Sequence, residues 1–105
     1  MPEIRRTIMN TFKDAQECQM FVMILKQKWS EFDLKLKDKF TVEIATDVSD
    51  ASKHTAYLTA QSVEGFKIVE DWATREVVPL RNKFAPKSHT FTCELDARFE
   101  FGVKE

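Results

Sequence analysis

Residues 90–101 read TFTCELDARFEF, and this stretch decides the fold. Phe91, Cys93, Leu95, Ala97, Phe99 and Phe101 alternate strictly with Thr90, Thr92, Glu94, Asp96, Arg98 and Glu100. Side chains in a strand point to opposite faces with period two, so the pattern predicts a long strand with one apolar and one polar face. The expected register turns the apolar set toward the protein interior. The rest of the chain is read outward from this strand.

Upstream, EIRRTIMNTF (3–12) places Ile4, Ile8 and Phe12 on one face of a first strand, with Arg6 and Asn10 interrupting that face. Asp14 is an expected N-cap for a first helix, with Glu17 three residues on as its capping-box partner. Cys18, Phe21, Val22, Leu25, Trp29 and Phe32 recur at three- and four-residue spacing and form the expected buried stripe. Met20, Met23 and Ile24 widen it. The period then changes to two, giving a strand over 39–46 whose lysines suit a sheet edge. DVSDASK (47–53) is a polar turn, and His54–Gln61 a third strand with Ala56, Leu58 and Ala60 inward. Ser62 is the expected cap of a second helix reaching to near Phe84, with an Asp71–Arg75 surface pair and a break at Pro79.

The element order is therefore strand, helix, strand, strand, helix, strand. Two such tandem βαβ halves make a ferredoxin-like βαββαβ plait of the α+β class: a four-stranded antiparallel sheet with two helices on one face. Residues 1–105 are expected to form a single domain, with 43% hydrophobic residues, nine Phe and two Trp to fill its core.

Composition excludes more than it assigns. The 16 Lys and Arg against 17 Asp and Glu give a formal net charge of −1, without the basic excess of a nucleic-acid module. No apolar run has the length of a signal peptide or membrane span, so a cytoplasmic protein without membrane attachment is expected. Cys18 and Cys93 lie far apart at positions expected to be apolar, and are read as small core residues rather than metal ligands or a redox pair. No phosphate-binding, zinc-hydrolase or nucleophile-elbow motif occurs.

In length and element order, over nearly the whole chain, the sequence resembles the ferredoxin-like proteins that dimerise as α/β barrels. That superfamily holds small monooxygenases, haem-degrading enzymes and many small proteins of unknown function. The resemblance implies a homodimer in an α/β-barrel assembly. The family's monooxygenases carry an Asn on the first strand and aromatic or His residues around a pocket, to which Asn10 and Trp72 loosely correspond. Neither His54 nor His89 falls on an expected helix, so no haem and no other cofactor is expected. Other ferredoxin-like families are excluded by their motifs. The third strand, KHTAYLTAQS, lacks the basic-glycine-aromatic run of RNA-recognition domains. The segment after strand one, NTFKDAQ, lacks both the paired cysteines of metal carriers and the glycine-rich arginine loop of acylphosphatases.

The one feature that points to a site is the polar pair on strand one. A buried donor without a partner costs about 1–3 kcal/mol, so Arg6 and Asn10 must find partners. They either line a ligand cavity with Met20 and Trp72, or Arg6 extends outward and Asn10 bonds backbone where the first helix begins. The opposite sheet face is expected to carry Arg5, Thr7, Met9, Thr11, Glu43, Tyr57, Thr59, Glu94, Asp96 and Arg98, read as a dimer interface or a polar substrate surface. His54, next to the polar turn, is expected to be exposed. Three functions fit: a dimer binding a small organic molecule between sheet and helices, a structural or regulatory dimeric scaffold, and a small cofactor-free monooxygenase-like enzyme. No metal is expected at any of these residues.

Overall fold

The computed structural model describes residues 3–102. The first two and last three residues of the expected 1–105 domain lie outside the described residues. The elements run β1 (Ile4–Thr11), α1 (Ala15–Ser30), β2 (Phe40–Thr46), β3 (Lys53–Ala60), α2 (Val63–Glu76), α3 (Val78–Phe84) and β4 (Lys87–Glu94). All strand pairs are antiparallel, in the spatial order β2-β3-β1-β4, so β1 and β3 are central and the lysine-flanked β2 is an edge. No helix among the described residues is long and apolar enough to cross a membrane.

The local signals act as their chemistry requires. The Asp14 carboxylate accepts the Glu17 N–H at 2.8 Å, and the Ser62 hydroxyl accepts the Gly65 N–H at 3.0 Å, so each long helix has an orphan donor satisfied at its start. The expected second helix divides at Val77, and α3 restarts with Pro79 in its first turn, where a missing N–H costs no helix bond. The Asp71–Arg75 pair takes another form. Arg75 donates to the Asp71 backbone carbonyl at 3.2 Å, and the Asp71 carboxylate lies 3.7 Å from Lys67.

Burial follows the helical stripes. Phe12, Cys18, Phe21 and Leu25 form one buried cluster, against which Val22, Trp29, Ile44, Val77, Leu80 and Phe84 pack. Ile4, Ala60 and Phe66 form a second, with Phe40 against it. Ile4 and Phe12 stand near opposite ends of β1, and between them the inward face of that strand carries Arg6, Ile8 and Asn10. The two polar residues thus sit between two apolar clusters.

The last strand departs from expectation in register and in length. Ile4 pairs with Glu94, Arg6 with Thr92, Ile8 with Thr90 and Asn10 with Ser88, so the polar set of β4 shares the helix-side face of the sheet. Phe91 and Cys93 pair with Thr7 and Arg5 and stand on the open face. Cys93 is exposed, not a core residue, whereas Cys18 is buried as expected. The physical reason lies in both partners of β4. The helices leave all eight of its residues exposed, so apolar side chains would gain little burial beneath them. Its hydroxyls on that side, by contrast, bond to Asn10 and Arg6 of β1. Beyond Glu94, the Leu95 N–H still bonds the Glu3 carbonyl at 2.9 Å and Arg98 pairs with Glu3 at 2.9 Å, but 95–101 form no strand. Leu95 is half-buried; Phe99 and Phe101 are 79% and 91% exposed.

Truncating Phe21, which is 1% exposed between helix and sheet, should cost about 3–5 kcal/mol by urea denaturation, whereas Met23→Ala, at 63% exposure, should cost under about 0.5 kcal/mol. Equal losses at the two positions would contradict this placement of the α1 stripe.

Candidate functional site

The polar turn sets the site's first component. The Asp47 carboxylate accepts the Ser49 and Asp50 N–H groups at 3.0 and 2.8 Å, and Asp50 accepts that of Ser52 at 3.0 Å. The Phe12 N–H bonds the Ser52 carbonyl at 2.8 Å, which joins the turn to the end of β1. β3 therefore starts at Lys53 and sets His54 opposite Asn10, inside the sheet–helix layer. His54 is 1% exposed, which corrects the expectation of a solvent-facing imidazole. Its ring lies between Phe12 and Phe21, with centroids 5.8 and 5.5 Å away. The signal was present in the sequence: the inward set Ala56, Leu58, Ala60 extends back by two residues to His54.

A chain of side-chain hydrogen bonds runs across three strands here. The Ser88 hydroxyl donates to Asn10 Oδ1, and Asn10 Nδ2 lies 3.2 Å from His54 Nε2. With the amide in this orientation Nε2 accepts, so the neutral ring carries its proton on Nδ1. Nδ1 is buried and has no hydrogen-bond partner. Burial pushes the His54 pKa below the ordinary 6.5. The Thr55 backbone opposes the shift in part, without reaching Nδ1 in hydrogen-bonding geometry.

Two inward positions back along β1, about 13 Å at 3.3 Å per residue, lies a second polar group. Arg6 donates through Nη2 to Glu70 of α2 at 2.7 Å and through Nε to Thr92 of β4 at 2.8 Å. Its guanidinium sits 4.9 Å from the centre of the Phe66 ring. Arg6 thus bridges sheet and helix instead of extending into solvent.

Between these groups is a cavity of about 110 Å³. Arg6, Asn10, His54, Glu70, Arg81 and Thr90 supply its polar wall, and Ile8, Phe21, Leu25, Trp29, Ala56, Leu58, Val77 and Val78 supply most of the rest. Thr74 and Thr90 are exposed, which places the mouth between α2 and β4. Of the four residues expected at a ligand site, the structure brings Arg6 and Asn10 together on this wall. Met20 is 51% exposed and borders a separate surface hollow with Lys13, Gln16 and Phe84. Trp72 is buried, but it packs at a tilt against Trp29 at 4.8 Å and edge-on against Phe32 at 5.0 Å rather than lining the cavity. His54, Glu70, Ser88 and Arg81 were not anticipated. Among the described residues no group of three or more His, Cys, Asp or Glu side chains is placed to hold a metal ion.

On the open sheet face, Arg5, Thr7, Glu43, Tyr57 and Thr59 do come together around a hollow of about 210 Å³. Glu94, expected there, lies on the helix side, and Phe91 and Cys93 take its face. Arg98 is engaged with Glu3.

Two solved structures superpose on this arrangement over nearly its full length. The first, a dimeric ferredoxin-like protein from an uncultured marine organism, matches with a TM-score of 0.71 at 17% identity, over 97% of this chain and 95% of the other. This is a ferredoxin-like fold. A second dimeric ferredoxin-like protein, also from an uncultured marine organism, matches with a TM-score of 0.65 at 12% identity, covering 94% of this chain and all of the other. No family model and no curated protein matches the sequence. The plait expected from the element order is thus observed, and the resemblance to ferredoxin-like proteins holds.

The depressed pKa of His54 makes stability pH-dependent in a defined direction. The unfolded chain binds a proton near 6.5 that the folded chain resists, so stability is full above that value and falls as the pH drops through it. As the pH falls below about 6.5, stability should decline by up to about 1.4 kcal/mol per pH unit, and His54→Gln should flatten that slope. An identical pH profile for the variant would contradict a buried, neutral His54.

Proposed function

We propose that this chain is a homodimeric ferredoxin-like protein that binds a small organic molecule in the cavity between sheet and helices. The observation that carries the reading is the mostly apolar cavity itself, with Arg6, Asn10 and His54 on its wall. The Ser88–Asn10–His54 chain holds the Asn10 amide and the imidazole in place, and the apolar walls provide burial. Arg6 and Asn10 are the binding residues anticipated from sequence, with His54 added by the fold.

Dimerisation is supported from two sides. Both structural neighbours are described as dimeric. The open sheet face also exposes Met9, Tyr57 and Phe91 at 39%, 42% and 58%, apolar area that a second copy would cover, closing an α/β barrel. The competing reading is a scaffold with no ligand, and the cavity's modest volume favours it.

Thermal-shift screening against a metabolite library separates the two. The wild type should be stabilised by at least one small compound, and Asn10→Leu should lose that response while remaining a dimer. If no compound shifts the wild type, the scaffold reading stands. In sedimentation velocity at micromolar concentration the wild type should run as a dimer and Phe91→Asp as a monomer; a monomeric wild type would remove the barrel assembly.

A further inference from the structure

Residues 95–101 keep the pattern of a strand without the ladder of one. Leu95, Ala97, Phe99 and Phe101 still alternate with Asp96, Arg98 and Glu100, and the chain runs on from β4 without a turn or bend. Its own sheet gives this segment little to pair with. The Leu95 N–H bonds the Glu3 carbonyl at 2.9 Å, and β1 begins only at Ile4. Arg98 then donates to both carboxylate oxygens of Glu3, at 2.9 and 3.1 Å, which ties the middle of the segment to the sheet and leaves its tip beyond. That tip carries Phe99 and Phe101, the most exposed phenylalanines among the described residues. Full burial of such a side chain is worth about 1.5–3 kcal/mol, and in the single chain neither ring is covered.

Resting on the homodimer proposed above, we infer that residues 95–101 are an arm that each protomer lays on the open sheet face of its partner, with one phenylalanine ring seated in the hollow beside Tyr57. The hollow has the size for it: a cavity of about 150 Å³ accommodates benzene, and this one measures about 210 Å³. Tyr57 supplies an aromatic wall. Arg5, held at its Nε by Glu3 at 2.7 Å, supplies a guanidinium like that of Arg6, which lies 4.9 Å from the Phe66 ring on the other face. Position agrees as well. Glu94, Ile4, Ala60 and Phe40 share one row, so the arm leaves from the end of the sheet where Arg5 and Thr59 of the hollow form the next row. A two-fold axis running along the strands sets the β4 side of one sheet over the β2 side of the other at this same end. Packed sheets lie about 10 Å apart and seven extended residues span about 23 Å, so the arm has length to cross and to lie along the partner. Alternation continues from Phe91 and Cys93, on the open face, to Phe99 and Phe101, which brings the rings to the side a second copy occupies. Symmetry makes the contact reciprocal, two arms filling two hollows.

Mixed dimers of isotope-labelled and unlabelled full chain test the arm by filtered NOE spectroscopy. Contacts should join the Phe99 or Phe101 ring of one protomer to Tyr57 of the partner subunit; arm contacts confined to one protomer would overturn the inference. Sedimentation equilibrium gives the energetic side. Phe99→Ser with Phe101→Ser should weaken the dimer by about tenfold or more, and Tyr57→Ala by a similar factor. Combined, the substitutions should cost less than the product of their separate effects, because they remove one contact. Effects that multiply in full would overturn the seat at Tyr57. Since both phenylalanines are exposed in the protomer, far-UV circular dichroism should stay unchanged in the arm variant, which separates lost association from lost folding. An arm variant that dimerises as tightly as the wild type, while Phe91→Asp is monomeric, would overturn the arm and leave the homodimer standing. A monomeric wild type would remove both.

Discussion

The side-chain hydrogen bonds between β4 and the inward face of β1 are the interaction on which the rest of the structure depends. β1 is central in the sheet, yet two of its inward residues, Arg6 and Asn10, are polar. Leaving either unpartnered would cost about 1–3 kcal/mol, comparable to a sizeable share of a small domain's stability. Ser88 and Thr92 meet that need from β4, Glu70 meets it from α2, and His54 completes it from β3. Once those bonds are made, the register of the last strand follows, and with it the face on which its phenylalanines stand. The apolar core has to form around the polar line, which is why it divides into clusters near the two ends of β1 and leaves a cavity between them.

Much of this was legible in the sequence, and the failures have a common origin. Helix starts at Asp14 and Ser62, the break at Pro79 and the three other strands follow from local rules, in which each residue's requirement is met within a few neighbours. Alternation over 90–94 also showed correctly which residues share a face, although the strand it predicted to 101 ends at Glu94. It could not show which face meets the helices, because a strand offers both equally and a one-residue slip exchanges them. That choice is settled by side chains of β1 more than seventy residues away. The length of β4 depends likewise on β1, whose described strand begins at Ile4, opposite Glu94. His54 was missed for a different reason. Its neighbours in the polar turn suggested solvent, whereas the period of β3 placed it inward, and the period prevailed. Met20 is the reverse case: two residues beyond Cys18 on α1 is about 200° around the helix, which puts it on the far side from the buried stripe.

The structural neighbours fix the plait and no more, since at 17% and 12% identity a shared fold places no side chain. What distinguishes this chain lies in residues that a fold comparison does not see. The same scaffold with Leu at positions 6 and 10 would lose the two polar residues that β1 gives to the cavity wall. Polar substitution of a central strand is tolerated here because the adjacent edge strand is rich in hydroxyls, a short side chain that bonds across the ladder without demanding burial of its own.

That edge strand has a further property. All eight residues of β4 are exposed, so in the single chain its attachment rests on the ladder to β1 and the few side-chain bonds that accompany it. Local opening free energy falls with the burial a segment contributes, so β4 should be the first strand to separate from the sheet in native-state fluctuations. When it does, Ser88 leaves Asn10, Thr92 leaves Arg6, and the wall holding Thr90 at the cavity mouth goes with them. The sheet's least anchored element is thus also a side of its cavity, so the opening of the cavity and the fraying of the strand are one motion.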